Sequence, residues 1–277
     1  MHTKHPTPQS RPFLKWAGSK QRLLPSLLPL LPLGKRLIEP FVGAGSVFLA
    51  TDYPSYVVND ANPDLVAMWS ALKERPRQFI QDASALFCES NWSQGRYLEL
   101  RDEFNLAADR YSRAVLLPYL NRFGFNGLYR VNRSGAFNVT YGDPVRLPQF
   151  PFDAAARAAD QLRRAVVLGG DFGSALEMAG PGDVVYCDPP YLNSTKGATF
   201  QAYTAAGFGL SDHQRLVSTA KAAVDRGARV FVSNHDTAEA RELYRGFRLH
   251  SMEALRTVAA SSSARVRCKE LVAEVVG

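Results

Sequence analysis

The sequence predicts an α/β fold: a mixed sheet flanked by helices, interrupted by a helical and β-hairpin block. Three observations predict it. Short apolar runs at 35–40, 56–59, 165–169, 183–187 and 228–233 alternate with helix-length segments, the pattern of strands joined by crossover helices. Between 75 and 122 that alternation stops with no clear strand signal, and 123–142 turns rich in Gly and Asn. The alternation then resumes to the end of the 277 residues. A sheet broken in this way reads as one discontinuous domain, 11–73 and 151–277, carrying 74–150 as an inserted module with a hairpin at 123–142.

Each element follows from its residues. Leu37-Ile38-Glu39-Pro40-Phe41-Val42-Gly43-Ala44-Gly45-Ser46-Val47-Phe48 reads as strand, glycine turn and a helix over 45–52. The next strand, Tyr56-Val57-Val58-Asn59, ends in Asp60, 17 residues after Gly43. An acid at the tip of the second strand is where nucleotide-binding α/β units hold ribose hydroxyls. The phosphate-gripping pattern needs a third glycine, and that position is Phe48. A dinucleotide is therefore disfavoured, and S-adenosylmethionine, which has a ribose and no phosphate, fits better. A helix over 63–73, the helical stretch 75–122 and the irregular hairpin 123–142 come next, followed by helix 153–164, strand 165–169 and helix 173–179.

Strand 183–187 carries the most informative residues. Its apolar run Val184-Val185-Tyr186-Cys187 ends in Asp188-Pro189-Pro190-Tyr191. Two prolines keep this end extended, so its carbonyls are not used up by a following helix. One carboxylate, one rigid carbonyl and one aromatic face suit the exocyclic amino group of a planar base. Asp188 and the Pro189 carbonyl each accept one N–H, and Tyr191 stacks on the ring. The long aperiodic stretch Leu192 to Gly209 reads as a lid over that pocket, with a solvated linker as the alternative. Helix 211–226, strand 228–233, helix 237–244 and two terminal strands, 247–257 and 268–276, close the sheet.

Bulk properties narrow the partner. A formal charge of +7 favours a polyanion over a membrane or an acidic small molecule. Five arginines and one acid lie between Arg113 and Arg146, interleaved with Tyr119, Phe123, Phe125, Tyr129, Phe137 and Tyr141. That mixture suits phosphate contact and base stacking. A hydrophobic content of 46% excludes a disordered chain. Cys88, Cys187 and Cys268 form no CxxC pair, which points to a reducing compartment and away from zinc. Methylation of a ring carbon needs a thiol nucleophile. The cysteine nearest the active end, Cys187, sits inside a strand as a small hydrophobe, whereas transfer to an exocyclic nitrogen needs no thiol. Met1 to Ser10 lacks an apolar core, and Leu23 to Leu33 is short and broken by Pro25, Pro29 and Pro32. The expectation is a cytoplasmic, nucleoid-associated protein without membrane, metal or obligatory protein partner.

Four segments in order carry a family resemblance. Phe13-Leu14-Lys15-Trp16-Ala17-Gly18-Ser19-Lys20, Glu39-Pro40-Phe41-Val42-Gly43-Ala44-Gly45-Ser46, Asn121-Arg122-Phe123-Gly124-Phe125-Asn126-Gly127-Leu128-Tyr129-Arg130 and Asp188-Pro189-Pro190-Tyr191 resemble the Dam-type (D12 class, group alpha) DNA adenine-N6 methyltransferases. The likeness runs from about Pro12 to the C-terminus. It implies a Rossmann-like methyltransferase fold with an inserted DNA-recognition domain. It also implies methyl transfer from S-adenosylmethionine to N6 of a flipped adenine in double-stranded DNA, in GATC.

The same resemblance assigns residues. Asp188, Pro189, Pro190 and Tyr191 form the catalytic end, and most of the acceleration comes from positioning and aligned dipoles. Trp16 and Lys20 face the methionine part of the cofactor, with Lys20 suited to its carboxylate. Phe41, Gly43 and Gly45 give apolar contact and close backbone approach, Asp60 takes the ribose, and Asp188 borders the cofactor as well. Asp171 and Phe172 stand where the family contacts the cofactor's adenine, helix capping being the other reading of Asp171. On DNA, Lys15 corresponds to the outer guanine contact, Asn126 to intercalation, Leu128 to the thymine contact and Arg130 to guanine recognition, a phosphate contact being the alternative for Arg130. Thr140 stands where the family often has proline. Three rivals stay open: an RNA amino-group methyltransferase, an N4-cytosine enzyme and a catalytically silent DNA-binding regulator. The base-reading Arg130, the leading Asp of the tetrapeptide, and the intact Asp188 with Asp60 argue against them in turn.

Overall fold

The computed structural model describes residues 11–192, 207–256 and 266–276. Seven strands form one sheet: β1 (Arg36–Glu39), β2 (Ser55–Asp60), β3 (Ala165–Gly169), β4 (Asp183–Cys187), β5 (Arg229–His235), β6 (Arg248–Arg256) and β7 (Val266–Val275). Their order is β3-β2-β1-β4-β5-β7-β6. The first five are mutually parallel, and β7 runs antiparallel between β5 and β6. The chain steps outward from β1 to β3 and then returns to β4 on the other side of β1. Sheets of this kind bind ligands in the crevice at the carboxyl ends of the strands, where the order reverses. The register sets Glu39 opposite Val58 and Ile38 opposite Val185, so Glu39, Asp60 and Asp188 arrive at one edge. The antiparallel pairing of His235 with Glu270 brings β7 to that edge too.

Alternating side chains cover both faces of the sheet. Leu37, Tyr56, Val58, Val184, Tyr186 and Phe231 belong to one buried cluster. Ile38, Val57, Val185, Cys187, Val230 and Val232 belong to the other. Residues one apart point to opposite faces, so near-continuous apolar strands are what a sheet buried on both sides requires. The helices are α1 (Leu24–Leu27), α2 (Pro63–Glu74), α3 (Pro76–Ala85), α4 (Gln94–Leu106), α5 (Arg110–Phe123), α6 (Phe152–Leu162), α7 (Phe172–Glu177), α8 (Leu210–Asp225) and α9 (Ala238–Leu243). Helices α7, α8 and α9 supply the second cluster. The first joins the sheet to α2 and α6 and, through Phe79, Phe104, Tyr119 and Phe123, to α3, α4 and α5. Residues 74–150 add no strand to the sheet. No helix among the described residues is long and apolar enough to cross a membrane.

Two expected elements take another form. The helix over 45–52 is only a 3-10 turn, Phe48–Ala50. Gly43 and Gly45 hold left-handed φ of 51° and 73°, and the chain is extended again at Thr51, whose hydroxyl donates to the Val47 and Phe48 carbonyls. The hairpin at 123–142 has no ladder. It is held by two isolated antiparallel bridges, Gly124 with Tyr141 and Val131 with Phe137. Side chains satisfy backbone groups that a ladder would use: Asn105 brackets the Phe137 N–H and C=O at 2.8 and 3.0 Å, and Asn132 accepts from Ser134 and Ala136 N–H. The helical stretch 75–122 divides into α3, α4 and α5, with Ser93 and Asp109 capping the last two. The lid expected over 192–209 lies, for 193–206, outside the described residues.

One polar knot locks the block to α2. Asp64 is buried in the first turn of α2, where its oxygens accept Arg113 Nε at 2.7 Å and Nη2 at 2.9 Å. The Tyr129 hydroxyl donates to the same carboxylate at 2.6 Å, and Arg113 Nη1 reaches the Phe104 carbonyl at 2.7 Å. Removing one partner of such a pair strands the other charge in the interior. Arg113→Ala is therefore expected to destabilise the protein by about 3 kcal/mol, read as a lower urea midpoint. An unchanged midpoint would show that the knot holds nothing.

Candidate active site

At the carboxyl edge of the sheet lies a pocket of about 400 Å³. Asp188 follows β4 into it, and the residue's two oxygens have different surroundings. Oδ2 lies 2.7 Å from Nζ of Lys20, which is itself buried and also donates to the Gly18 carbonyl at 2.8 Å. Oδ1 is buried and has no hydrogen-bond partner among the described residues. A buried acceptor left unmatched is costly, and this oxygen is free to accept a further hydrogen bond. Burial raises the Asp188 pKa above the ordinary carboxylate value; Lys20 opposes the rise, and Glu270 adds to it.

The rest of the wall surrounds that acid with aromatic rings and further carboxylates. Tyr191 donates its hydroxyl to Glu270 Oε2 at 2.7 Å and meets the His235 ring edge-on at 4.5 Å. The Lys20 ammonium lies 4.7 Å from the centre of the Tyr191 ring. Glu39, at the end of β1, is pushed well above the usual range by burial and then by Asp188, and its Oε1 has no partner among the described residues. Cys187 points away into the second cluster, and burial pushes its thiol up, so no thiolate is presented here.

A second half of the pocket forms at the glycine turn. Asp60 Oδ2 accepts the Gly43 N–H at 2.9 Å, and Oδ1 accepts the Asn62 N–H at 2.9 Å. Burial nevertheless raises its pKa to about 6. Gly43 turns beneath Trp16, where a Cβ would stand 3.2 Å from the indole, and its carbonyl accepts Trp69 Nε1 at 3.0 Å. Gly45 packs on Trp69 and does not reach the pocket. Phe41 lines it, its ring 5.4 Å from Phe172 and 5.8 Å from Phe208. Asp171 and Phe172 are not part of the wall. Asp171 caps α7 by accepting the Gly173 N–H and pairs with Arg215 through two 2.7 Å bonds, and Phe172 is buried behind Phe41. Lys20, expected at a methionine carboxylate, instead directs its charge at Asp188.

Of the expected base-reading residues, Leu128 alone lines the pocket among the described residues. Asn121 clamps two segments: its Oδ1 accepts the Lys15 N–H at 2.8 Å, and its Nδ2 donates to the carbonyls of Lys15 and Gly127 at 2.7 and 2.9 Å. Gly127 has φ 66°, and a Cβ there would fall 2.5 Å from Lys15 Cβ. Lys15, Asn126 and Leu128 are thereby gathered in one place, and Leu128 reaches the pocket wall. Arg130 is exposed, its guanidinium resting on Asn138 at 2.7 and 3.0 Å. Sequence reasoning gave no role to Asn121, His235, Glu270, or Glu39 as an acid. A signal was present for Glu39, a lone carboxylate in the apolar run Leu37-Ile38-Glu39-Pro40-Phe41-Val42; Glu270 lies in a strand that also carries Arg267, Lys269 and Glu274 and gave none. Chemically, the pocket offers an acid and apolar rings on one side and an unpaired acceptor beside a stacking ring on the other.

The chain is similar to known proteins. The family model for the D12 class N6 adenine-specific DNA methyltransferase matches residues 16–258. A DNA adenine methylase of Vibrio cholerae is 41% identical over 266 residues, covering 96% of each chain. The DNA adenine methylase of Escherichia coli K12 is 39% identical over 265 residues, 96% of this chain and 95% of that one. Similar solved structures include a precorrin 8w decarboxylase from Methanobacterium thermoautotrophicum, with 12% identity, a TM-score of 0.37 and coverage of 92% of this chain and 89% of that one.

The Lys20–Asp188 pair makes a prediction of definite sign. Lys20 favours the ionised carboxylate, so Lys20→Met should move the Asp188 titration midpoint to higher pH, followed by carboxyl carbon NMR of labelled aspartate. A midpoint that stays or falls would show that the ion pair does not control this acid.

Proposed function

This chain belongs to the D12 class of N6 adenine-specific DNA methyltransferases and is an adenine-specific DNA methyltransferase; we propose that it takes its methyl group from S-adenosylmethionine and places it on N6 of an adenine flipped out of duplex DNA, in GATC. The observation that carries this reading is Asp188, with one oxygen held by Lys20 and the other buried without a partner among the described residues.

The residues present fit that cofactor. The pocket volume of about 400 Å³ lies within the roughly 300–1,000 Å³ of small-molecule sites. Asp60 would hold the ribose hydroxyls, Phe41 and the Gly43 turn would lie along the nucleoside, and Trp16 would flank the methionine. When bound, S-adenosylmethionine supplies an electrophilic methyl group on a sulfonium. On the target side, Asp188 Oδ1 accepts one N6–H and the Pro189 carbonyl the other, which turns the nitrogen lone pair outward. Lys20 keeps the carboxylate from rotating away. Tyr191 stacks on the base and offsets part of the few kcal/mol that extrusion costs. After transfer the nitrogen is positively charged, and Asp188, made more basic by burial, is placed to take its proton at Oδ1.

Residues 74–150 act in this reading as the recognition module, working on chromosomal DNA in the cytoplasm. Lys15 and Arg130 read guanines, Leu128 meets the thymine methyl and Asn126 enters the stack. The clamp of Asn121 on Lys15 and Gly127 supports a single reading head made from two distant segments.

Two variants test the reading. Asp188→Ala is expected to abolish methylation while leaving cofactor affinity within a few-fold, and turnover near the wild-type rate would refute the assigned role. Arg130→Ala separates reading from gripping. A bidentate arginine–guanine contact discriminates by roughly 1–3 kcal/mol, so preference at one base pair should relax. A lost phosphate contact would weaken all sequences alike and flatten the salt slope by about one unit. The measurement is kcat/KM on GATC and its single-base variants at two salt concentrations, and a uniform loss would remove Arg130 from base reading.

A further inference from the structure

Glu270 is a buried pocket acid to which the proposed chemistry gives no task. It stands in β7, 7% exposed, between Lys269 and Leu271 and opposite His235 of β5. A carboxylate in such a place is retained at a cost in desolvation, so its partner indicates its use. That partner is the Tyr191 hydroxyl, at 2.7 Å from Oε2. The Tyr191 backbone is held as well, because the next residue, Leu192, donates its N–H to Asn234 Oδ1 at 3.2 Å. His235 meets the ring edge-on, and the Lys20 ammonium sits over its face. The ring is therefore fixed at its far end by a charge-assisted hydrogen bond, at its edge by an imidazole and at its root by a backbone bond.

We infer that Glu270 is a positioning residue for the methyl transfer: by accepting the Tyr191 hydroxyl it sets the plane of the ring on which the target adenine stacks. This rests on the reading that Tyr191 stacks on the flipped base. A tyrosine free to change rotamer would have to be ordered when the base arrives, and that ordering would subtract from stacking. Held in advance, the ring presents its plane at no such cost. Glu270 acts through the hydroxyl and needs no contact with the base.

The test is a double-mutant cycle on the full-length protein with GATC duplex, read by single-turnover methylation. Glu270→Ala and Tyr191→Phe are each expected to slow transfer on the order of tenfold to a hundredfold, as a misplaced reacting partner does. The double variant should be no slower than Tyr191→Phe, because that variant has already removed the bond that Glu270→Ala removes. Glu270→Gln keeps an acceptor oxygen and should recover most of the rate. Affinity for S-adenosylhomocysteine should stay within about twofold throughout. Additive losses, a fully active Glu270→Ala, or a Glu270→Gln as slow as Glu270→Ala would each overturn the inference, the last by showing that the charge near Asp188 is what counts. If Glu270→Ala does not fold, the Gln variant and Tyr191→Phe decide the question alone: the inference requires Gln to be the faster of the two. Tyr191→Ala distinguishes the levels. Full activity there would remove the stacking reading itself, whereas a slow Tyr191→Ala beside a fully active Glu270→Ala removes only the role of Glu270.

Discussion

An ion pair between Lys20 and Asp188 conditions the rest of the site. The Asp188 side chain is only 20% exposed, and burial of an unpaired carboxylate costs several kcal/mol. Lys20 offsets part of this cost, but it lies in a different segment and must be delivered to within 2.7 Å. The segment 13–20 is accordingly fastened at several points. Ser19 and Ser46 hydroxyls meet at 2.8 Å, Asn121 holds both the N–H and the C=O of Lys15, Arg122 reaches the Phe13 carbonyl, and the Phe13 ring packs edge-on against Trp69. The anchors come from the glycine turn, α2 and α5. One short stretch therefore joins Asp188, the glycine turn and the loop at Gly127.

The carboxylates gathered at this edge work against folding at neutral pH. Asp60, Glu39 and Asp188 all have pKa values raised mainly by burial. A carboxyl group whose folded pKa lies above its unfolded value contributes stability that is complete below the unfolded pKa and is lost as pH rises through the folded one. For Asp60 that window runs from about 3.8 to about 6. The ionised site is thus held in place by the surrounding core, and a ligand that donates hydrogen bonds to these oxygens is favoured for that reason.

Much of this was legible in the sequence, and the limits were physical. Strand 183–187 and the tetrapeptide after it could be located because apolar runs ending in two prolines admit few conformations. The turn at 43–45 was legible as glycine-rich, but the helix expected behind it shrank to one 3-10 turn, since propensity over a few residues cannot outweigh two left-handed glycines and the early return to β2. The hairpin region was recognised as irregular, yet its lack of a ladder depends on Asn105, eighteen residues before Phe123, which no local pattern connects to Phe137. Long-range partners were the least visible. Lys20 on Asp188, Asp171 on Arg215 and Tyr191 on Glu270 span long stretches of chain, and only the strand order decides that they meet.

That order also bears on how a modest acid would serve the proposed chemistry. The nitrogen of an aromatic amine is a poor nucleophile because its lone pair is shared with the ring, and a strong base is not needed so much as a firm hold on its hydrogens. In the proposed reaction Asp188 has to be ionised to accept the N–H, which requires its pKa not to climb too far. It has also to take a proton from the positively charged product nitrogen, which requires some basicity. Burial and Glu270 push in one direction and Lys20 in the other. Lys20 comes from the N-terminal segment, Asp188 from the end of β4, and Glu270 from the antiparallel β7 that closes the sheet beside β5. The proton affinity of the pocket acid is therefore set chiefly by its burial and by Lys20, which only the finished sheet brings together.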